Sequence, residues 1–217
     1  MAESTLEAPT IPEAAAAEQA FQREAEPWTL RAYVSEHPGV ASGAVILVIS
    51  AVLVVWARTR PSYDAYGWMV WGYQTLHLSL DLGGAPSWKP VPFLFTVPFA
   101  VFGHYQLWLW MFTACAVALA GPVFGARIAF RLCGGGARGD GAGPDGARSD
   151  ASAQEPGALQ RFAPYAGAFI AGAAVLGIED YLHYILSSQS DPMLVTFTLA
   201  ALDMGLLGRY RWALVFG

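Results

Sequence analysis

An uncharged apolar run near the N-terminus constrains the fold of this chain most strongly. It extends from Gly39 to Trp56 with the sequence GVASGAVILVISAVLVVW. Its length approaches the roughly 20 residues that an α-helix needs to cross the hydrocarbon core of a bilayer. The preceding segment is mostly polar and lacks the basic start of a signal peptide, which disfavours a cleaved leader. We therefore predict a first membrane span at residues 39–56.

The composition extends this prediction to most of the chain. Apolar side chains make up 55% of its 217 residues and charged ones only 13%, which is too apolar for an ordinary soluble domain. Residues 39–217 are thus predicted to form the N-terminal part of an all-α, polytopic membrane helix bundle. Further spans are expected at 107–132, 164–178 and 192–207. Another apolar run begins at residue 212 and ends after six residues, so we expect a truncated fifth span.

The N-terminal segment, residues 1–38, has a different composition. Residues 1–27 are rich in Ala, Glu and Pro, which predicts a largely disordered tail. The net charge of −5 comes partly from this tail, and no dense basic patch occurs elsewhere, so we expect no nucleic-acid partner. Cys115 and Cys133 match neither a metal-binding spacing nor a disulfide framework.

The loop between the first two spans is long and rich in aromatic residues. A helix that starts near Ser62 would place Asp64, Trp68 and Trp71 along one face. Glycines and prolines then break the regular pattern before a short apolar run that Pro98 interrupts. We predict two interfacial or re-entrant helices in this first extracytoplasmic loop.

The distribution of basic residues predicts the orientation. With a cytoplasmic N-terminus, nine arginines are inside, and Arg58, Arg60 and Lys89 are outside. We therefore expect a multi-pass protein of the cell membrane with its N-terminus in the cytoplasm. This topology places six polar residues together on the extracytoplasmic side: Asp64, Lys89, Glu179, Asp180, His183 and Asp191.

Several short motifs occur in a characteristic order along this side of the protein. Asp64 follows the first span, and Lys89-Pro90-Val91-Pro92 follows the aromatic helix. A run ending in Phe102-Gly103 and the segment Asp191-Pro192-Met193-Leu194 come later. In order and spacing, over about residues 40–210, the chain resembles the GT-C glycosyltransferases that use polyprenyl-phosphate sugars. The similarity is greatest to the protein O-mannosyltransferase and lipid A aminoarabinose transferase group.

The resemblance implies an enzyme that moves a sugar from a polyprenyl-phosphate donor to an extracytoplasmic acceptor with inversion. Asp64 would be the general base that removes a proton from the acceptor hydroxyl. Lys89 would hold the donor phosphate as negative charge develops on the leaving group. Asp191 matches the acidic residue of the family's second loop, and together with Asp180 it forms a predicted second acidic site. Membrane lipid and the lipid-linked sugar would be the partners.

Each of these residues also has a simpler interpretation. Asp64 in the first turn of a helix would complement the helix dipole. Lys89, the only lysine, would extend from an interface towards water. Glu179 and Asp180 would form a solvated helix end.

A divalent metal is an additional hypothesis for the second acidic segment. Glu179 and His183 share a face if their segment is helical, and Asp191 follows. Carboxylate and imidazole ligands suit several divalent metals, and this spacing is specific for none of them.

A second class of function is a non-enzymatic membrane protein, such as a transporter fragment or an assembly subunit. The acidic residues would then line a polar pathway, although the sequence contains no evident internal repeat. Asp203 lies inside the predicted fourth span, where a lone charge costs about 3 kcal/mol on insertion scales. We predict that it faces the protein interior and bonds to a neighbouring helix.

Overall fold

The computed structural model describes residues 30–57, 60–83, 89–135 and 157–217, and these ranges contain helices and no strand. This confirms the predicted all-α class. The α-helices are α1 (Leu30–Glu36), α2 (Pro38–Trp56), α3 (Tyr63–Leu76), α4 (Pro90–Ala100), α5 (Gln106–Phe130), α6 (Ala158–Leu176), α7 (Tyr181–Leu186), α8 (Asp191–Leu206) and α9 (Tyr210–Phe216). A 3₁₀ turn at Gly103–Tyr105 precedes α5, and a π turn at Arg131–Gly135 follows it.

The chain divides into two units, Met1–Ser42 and Gly43–Gly217. In the first unit the described residues form α1 and the beginning of α2, and the Tyr33 and His37 rings stack 4.5 Å apart. The predicted disordered tail, residues 1–27, lies outside the described residues. The second unit contains the remaining helices and the buried core.

Two segments of the described chain are apolar and long enough to cross a bilayer. They are Pro38–Trp56, with mean hydropathy 2.4, and Gly103–Gly134, with mean hydropathy 1.8. Only 11% of the first segment is buried, so most of its residues are at least partly exposed in the described structure. The predicted third and fourth spans are also helices, but α6 and α8 do not meet the same criterion of length and hydropathy.

The structure corrects the start of one predicted span. α6 begins at Ala158 and not at residue 164, and residues 136–156 before it lie outside the described ranges. The prediction took Pro164 as a helix start, whereas α6 continues through it. Good helix formers, Ala158 to Arg161, supply the extra turn.

α5 lies at the centre of the second unit and packs against α6 and α8. Small residues permit a close approach: a Cβ on Gly125 would lie 3.0 Å from Val175, and one on Gly172 would lie 3.3 Å from the Pro122 carbonyl oxygen. The predicted close packing of the Gly- and Ala-rich helix α6 is therefore confirmed. This packing brings the chain that follows α6 back alongside α5.

The first loop forms the two helices that were predicted there. α3 and α4 pack against each other, and Gln106 at the start of α5 joins them by donating its side-chain amide to the carbonyl oxygens of Met69 (3.0 Å) and Thr96 (3.1 Å). Trp68, Trp71 and other apolar residues of α3 belong to a buried cluster that also includes Trp110 and Met193. The loop is thus packed onto the bundle.

Candidate functional site

Two of the predicted site residues meet although they are 102 positions apart in the sequence. The Lys89 Nζ atom lies 2.8 Å from Asp191 Oδ1 and 5.7 Å from the centroid of the Trp68 ring. We call Trp68, Lys89 and Asp191 the ion-pair site. The side chains of Lys89 and Asp191 are 31% and 50% exposed, so both can still contact a ligand.

Helix starts fix both charged residues of this site. Lys89 is the residue before α4 and has an extended backbone (φ −132°, ψ 120°), as expected before Pro90. Asp191 is the first residue of α8 and Pro192 follows it. A proline in the first helical turn costs no backbone hydrogen bond. The sequence Lys-Pro and the sequence Asp-Pro thus place one charge each at a helix N-terminus.

Aromatic rings lie beneath the ion pair and form the floor of the site. Trp68 is fully buried and meets Trp110 edge to face, with 5.7 Å between the ring centroids. The Trp110 indole donates to the Ser188 carbonyl oxygen (3.2 Å), which ties α5 to the segment that leads into Asp191. The ammonium of Lys89 therefore lies between a carboxylate and an aromatic surface, an arrangement that favours a localised positive charge.

Two buried hydroxyl groups occur close to the ion-pair site in sequence. Ser190 precedes Asp191, and Ser62 lies before α3, where its backbone N–H donates to the Ser187 carbonyl oxygen (2.9 Å). The Oγ atoms of Ser62 and Ser190 are buried and have no hydrogen-bond partner among the described residues. Buried hydroxyls are normally paired, so these two are candidates for bonds to a ligand or to water.

Asp64 lies in the first turn of α3, as predicted, and is partly exposed. Trp68 is one helical turn further on, so the two side chains share a face of α3. Asp64 forms no ion pair with Lys89 or with any other residue that the structure describes. Asp191, by contrast, is paired with Lys89.

The second acidic segment differs from its prediction. α7 begins at Tyr181, and Asp180 precedes it with φ 60°, so Glu179 lies outside the helix and does not share a helical face with His183. In the described part of the chain no three His, Cys, Asp or Glu residues are close enough to hold a metal ion. Glu179, His183 and Asp191 are consequently not assembled into the metal site that was considered.

Part of this segment is also buried. Tyr181 and Ile185 of α7 are buried, and the Tyr181 hydroxyl donates to the Ala118 carbonyl oxygen of α5 (2.8 Å). This hydrogen bond attaches α7 to α5.

A second charged cluster was only partly predicted. Asp203 of α8 is fully buried, as expected, and one of its oxygens lies 3.1 Å from Arg127 Nη2. Arg131 pairs with the other oxygen and also donates to the Asp203 carbonyl oxygen (3.3 Å). The prediction that Asp203 bonds to a neighbouring helix is therefore confirmed. The spacing of Arg127 and Arg131, one helical turn, is the signal that would have identified its partners.

The ion-pair site combines a cation, a carboxylate and an aromatic ring, and Asp64 lies one helical turn before that ring on the same face of α3. A cation that is already paired can exchange its carboxylate for another anion at modest cost, because the pair is partly exposed. No family model, no curated protein and no solved structure matches this chain. The function must therefore be inferred from the site itself.

Proposed function

We propose that this protein is a multi-pass membrane glycosyltransferase of GT-C type, which moves a sugar from a polyprenyl-phosphate donor to an extracytoplasmic acceptor with inversion. The observation that carries the proposal is the contact of Lys89 with Asp191 above Trp68. It joins the Lys-Pro motif of the first loop to the Asp-Pro motif of a later one. These are two of the motifs on which the resemblance to this group rests.

In the proposed reaction the donor phosphate is held by Lys89. The Lys89 Nζ atom lies 2.8 Å from Asp191 Oδ1. A phosphate oxygen of the donor would replace this carboxylate oxygen beside the ammonium, or share the ammonium with it. As the bond between the anomeric carbon and the phosphate oxygen breaks, the leaving phosphate gains negative charge, and the ammonium stabilises that charge. Trp68 fixes the position of the ammonium from below.

Asp64 acts as the general base in this proposal. Its carboxylate accepts the proton of the acceptor hydroxyl, whose oxygen attacks the anomeric carbon from the face opposite to the phosphate. The absence of a cationic partner among the described residues supports this role, because a paired carboxylate is a weaker proton acceptor. Asp191 remains near the Lys89 ammonium and orients it.

The direct test is transfer of a radiolabelled sugar from a panel of polyprenyl-phosphate donors in membranes that contain the protein. Replacing Asp64→Asn should lower transfer by about 10²–10⁴-fold, the usual contribution of a general base. Asp81→Asn is the matched control, because Asp81 is an exposed carboxylate of the same loop. Lys89→Gln should lower transfer by about 10²-fold or more.

The outcomes separate the two classes of function. Transfer that survives in the Asp64→Asn variant would contradict the assignment of the base. If the inserted, folded wild-type protein transfers sugar from no donor, the non-enzymatic alternative is favoured, in which the same charges line a polar pathway. Cysteines placed one at a time at positions 64, 89 and 191 should all react with a membrane-impermeant reagent from the same side of the membrane. Residues that line one catalytic pocket must be accessible from the same side.

A further inference from the structure

We propose that the groove beside Arg127 and Arg131 binds one anionic phospholipid, with its phosphate on the two guanidinium groups and an acyl chain along the apolar wall. The groove lies between α5 and α6, at the end of α5 opposite to the ion-pair site, and has a volume of about 620 Å³. This inference requires the membrane placement assumed above. It does not depend on glycosyl transfer.

The walls of the groove are apolar except for the two arginines. Ala126 and Phe130 of α5 and Tyr165 and Ala168 of α6 line it. The Phe130 and Tyr165 rings meet edge to face, with 5.4 Å between their centroids. The volume lies within the range of about 300–1,000 Å³ that is typical of small-molecule sites. An extended hydrocarbon chain would fill such a surface, whereas a free inorganic ion would leave it uncovered.

Charge complementarity selects the headgroup. The two guanidinium groups share a single acid, Asp203, so the cluster has a net charge of about +1. Asp203 is fully buried, whereas the side chains of Arg127 and Arg131 are 41% and 25% exposed. Both arginines line the groove, and Asp203 does not.

The arginines also have donors to spare. A guanidinium carries five N–H donors, and Asp203 is the only ion-pair partner of either arginine among the described residues. A phosphodiester has two charged oxygens that can accept such bonds in a forked geometry. In the predicted topology this end of α5 lies at the cytoplasmic interface, where basic pockets between membrane helices bind anionic headgroups.

The experiment is a competition between two lipids in vesicles. The purified protein is reconstituted in phosphatidylcholine vesicles that contain a trace of spin-labelled phosphatidylglycerol or spin-labelled phosphatidylcholine. Electron paramagnetic resonance then gives the motionally restricted fraction of each label. The wild-type protein should prefer phosphatidylglycerol, and Arg127→Gln should reduce this preference by about fivefold, the effect of one basic residue near an anionic surface.

Two further variants separate the groove from general electrostatics. Ala168→Trp should abolish the preference, because the indole fills the groove and leaves the ion pairs with Asp203 intact. Ala51→Trp is its matched control: Ala51 lines a second apolar groove of about 410 Å³, which contains no charged side chain. Ala51→Trp should leave the preference unchanged. Arg127→Lys retains the charge and should therefore retain most of the preference, which makes it the charge-conserving control for Arg127→Gln.

Several results would overturn the proposal. Equal restriction of both labels in the wild-type protein would do so, as would a preference that survives both Ala168→Trp and Arg127→Gln. Displacement of the labelled phosphatidylglycerol by millimolar inorganic phosphate would assign the arginines to a free anion. Loss of the preference in Ala51→Trp as well would place the lipid elsewhere. The lipid readout does not involve sugar transfer, so it can succeed or fail independently of the proposed enzyme.

Discussion

Replacing Gly72→Ala should destabilise the protein, because the interface between α3 and α4 has no room for a methyl group. A Cβ at this position would lie 2.5 Å from the carbonyl oxygen and 2.6 Å from the carbonyl carbon of Thr96. Both contacts are to backbone atoms of α4, which cannot rotate away as a flexible side chain would. The two helices must therefore separate if the methyl group is to fit.

The size of the effect follows from three contributions. Overpacking of a tight interface costs about 1–3 kcal/mol. Separation of the helices also disturbs the hydrogen bond from Gln106 to the Thr96 carbonyl oxygen, at about 1 kcal/mol. The better helix propensity of alanine returns about 1 kcal/mol. We expect Gly72→Ala to lower the free energy of unfolding by about 1–3 kcal/mol.

The assay is denaturant unfolding in mild detergent, followed by tryptophan fluorescence, which reports on Trp68, Trp71 and Trp110 in the adjoining core. Gly43→Ala in α2 is the matched control, since nothing lies within 4 Å of a Cβ there. That variant should be neutral or slightly stabilising. A Gly72→Ala protein as stable as the wild type would refute the close approach of the two helices. The same variant should reduce sugar transfer, because α4 positions Lys89.

Further variants test other parts of the structure. Asp203→Asn should cost about 2–3 kcal/mol in the same unfolding assay, and the control Asp81→Asn should be neutral. The cost is smaller than the roughly 3–5 kcal/mol for breaking a fully buried pair, because the arginines are partly exposed. Leu78→Gly should stabilise the protein by about 1 kcal/mol, because Leu78, two residues after the end of α3, has φ 55°. Gly208→Ala should destabilise it by a similar amount, because Gly208 has φ 69°. Lys89→Ala should change the free energy of unfolding by less than about 1 kcal/mol, since its ion pair is partly exposed; a larger loss would assign the pair a structural role.

The sequence predicted the helices well where a local signal dominates. The apolar run that became α2 and the start of α3 near Ser62 were predicted almost to the residue, because both follow from the local pattern of apolar and aromatic residues. The start of α6 was missed because a proline is common at the start of a helix, and Pro164 was interpreted as that start although it lies inside α6. The non-helical position of Glu179 was missed because the positive φ of Asp180 depends on the turn after α6.

The sites depended more on contacts between distant segments. The predicted topology brought Lys89 and Asp191 to one side, but no periodicity specifies that a side chain of the first loop pairs with the start of α8. The partners of Asp203 were easier to predict from the sequence. The cost of a buried acid implied a hydrogen-bond partner on a neighbouring helix, and Arg127 and Arg131 lie one turn apart on one face of the same helical segment.

The pairing of Lys89 with Asp191 also restricts how the chain can cross a bilayer. If α5 crosses the bilayer, the chain must cross back before it reaches Asp191. The reason is that Lys89, which precedes α5, pairs with Asp191, so the two residues lie on the same side. α6 runs antiparallel to α5: its Gly167 approaches Cys133, and Gly172 approaches Pro122. α6 ends near the middle of α5, where the Tyr181 hydroxyl bonds to the Ala118 carbonyl oxygen, and α7 continues towards the level of Trp110. The return crossing is then made by α6 and α7 together, with a break at Gly177–Asp180. Neither helix alone therefore has to be long and apolar enough to span the bilayer.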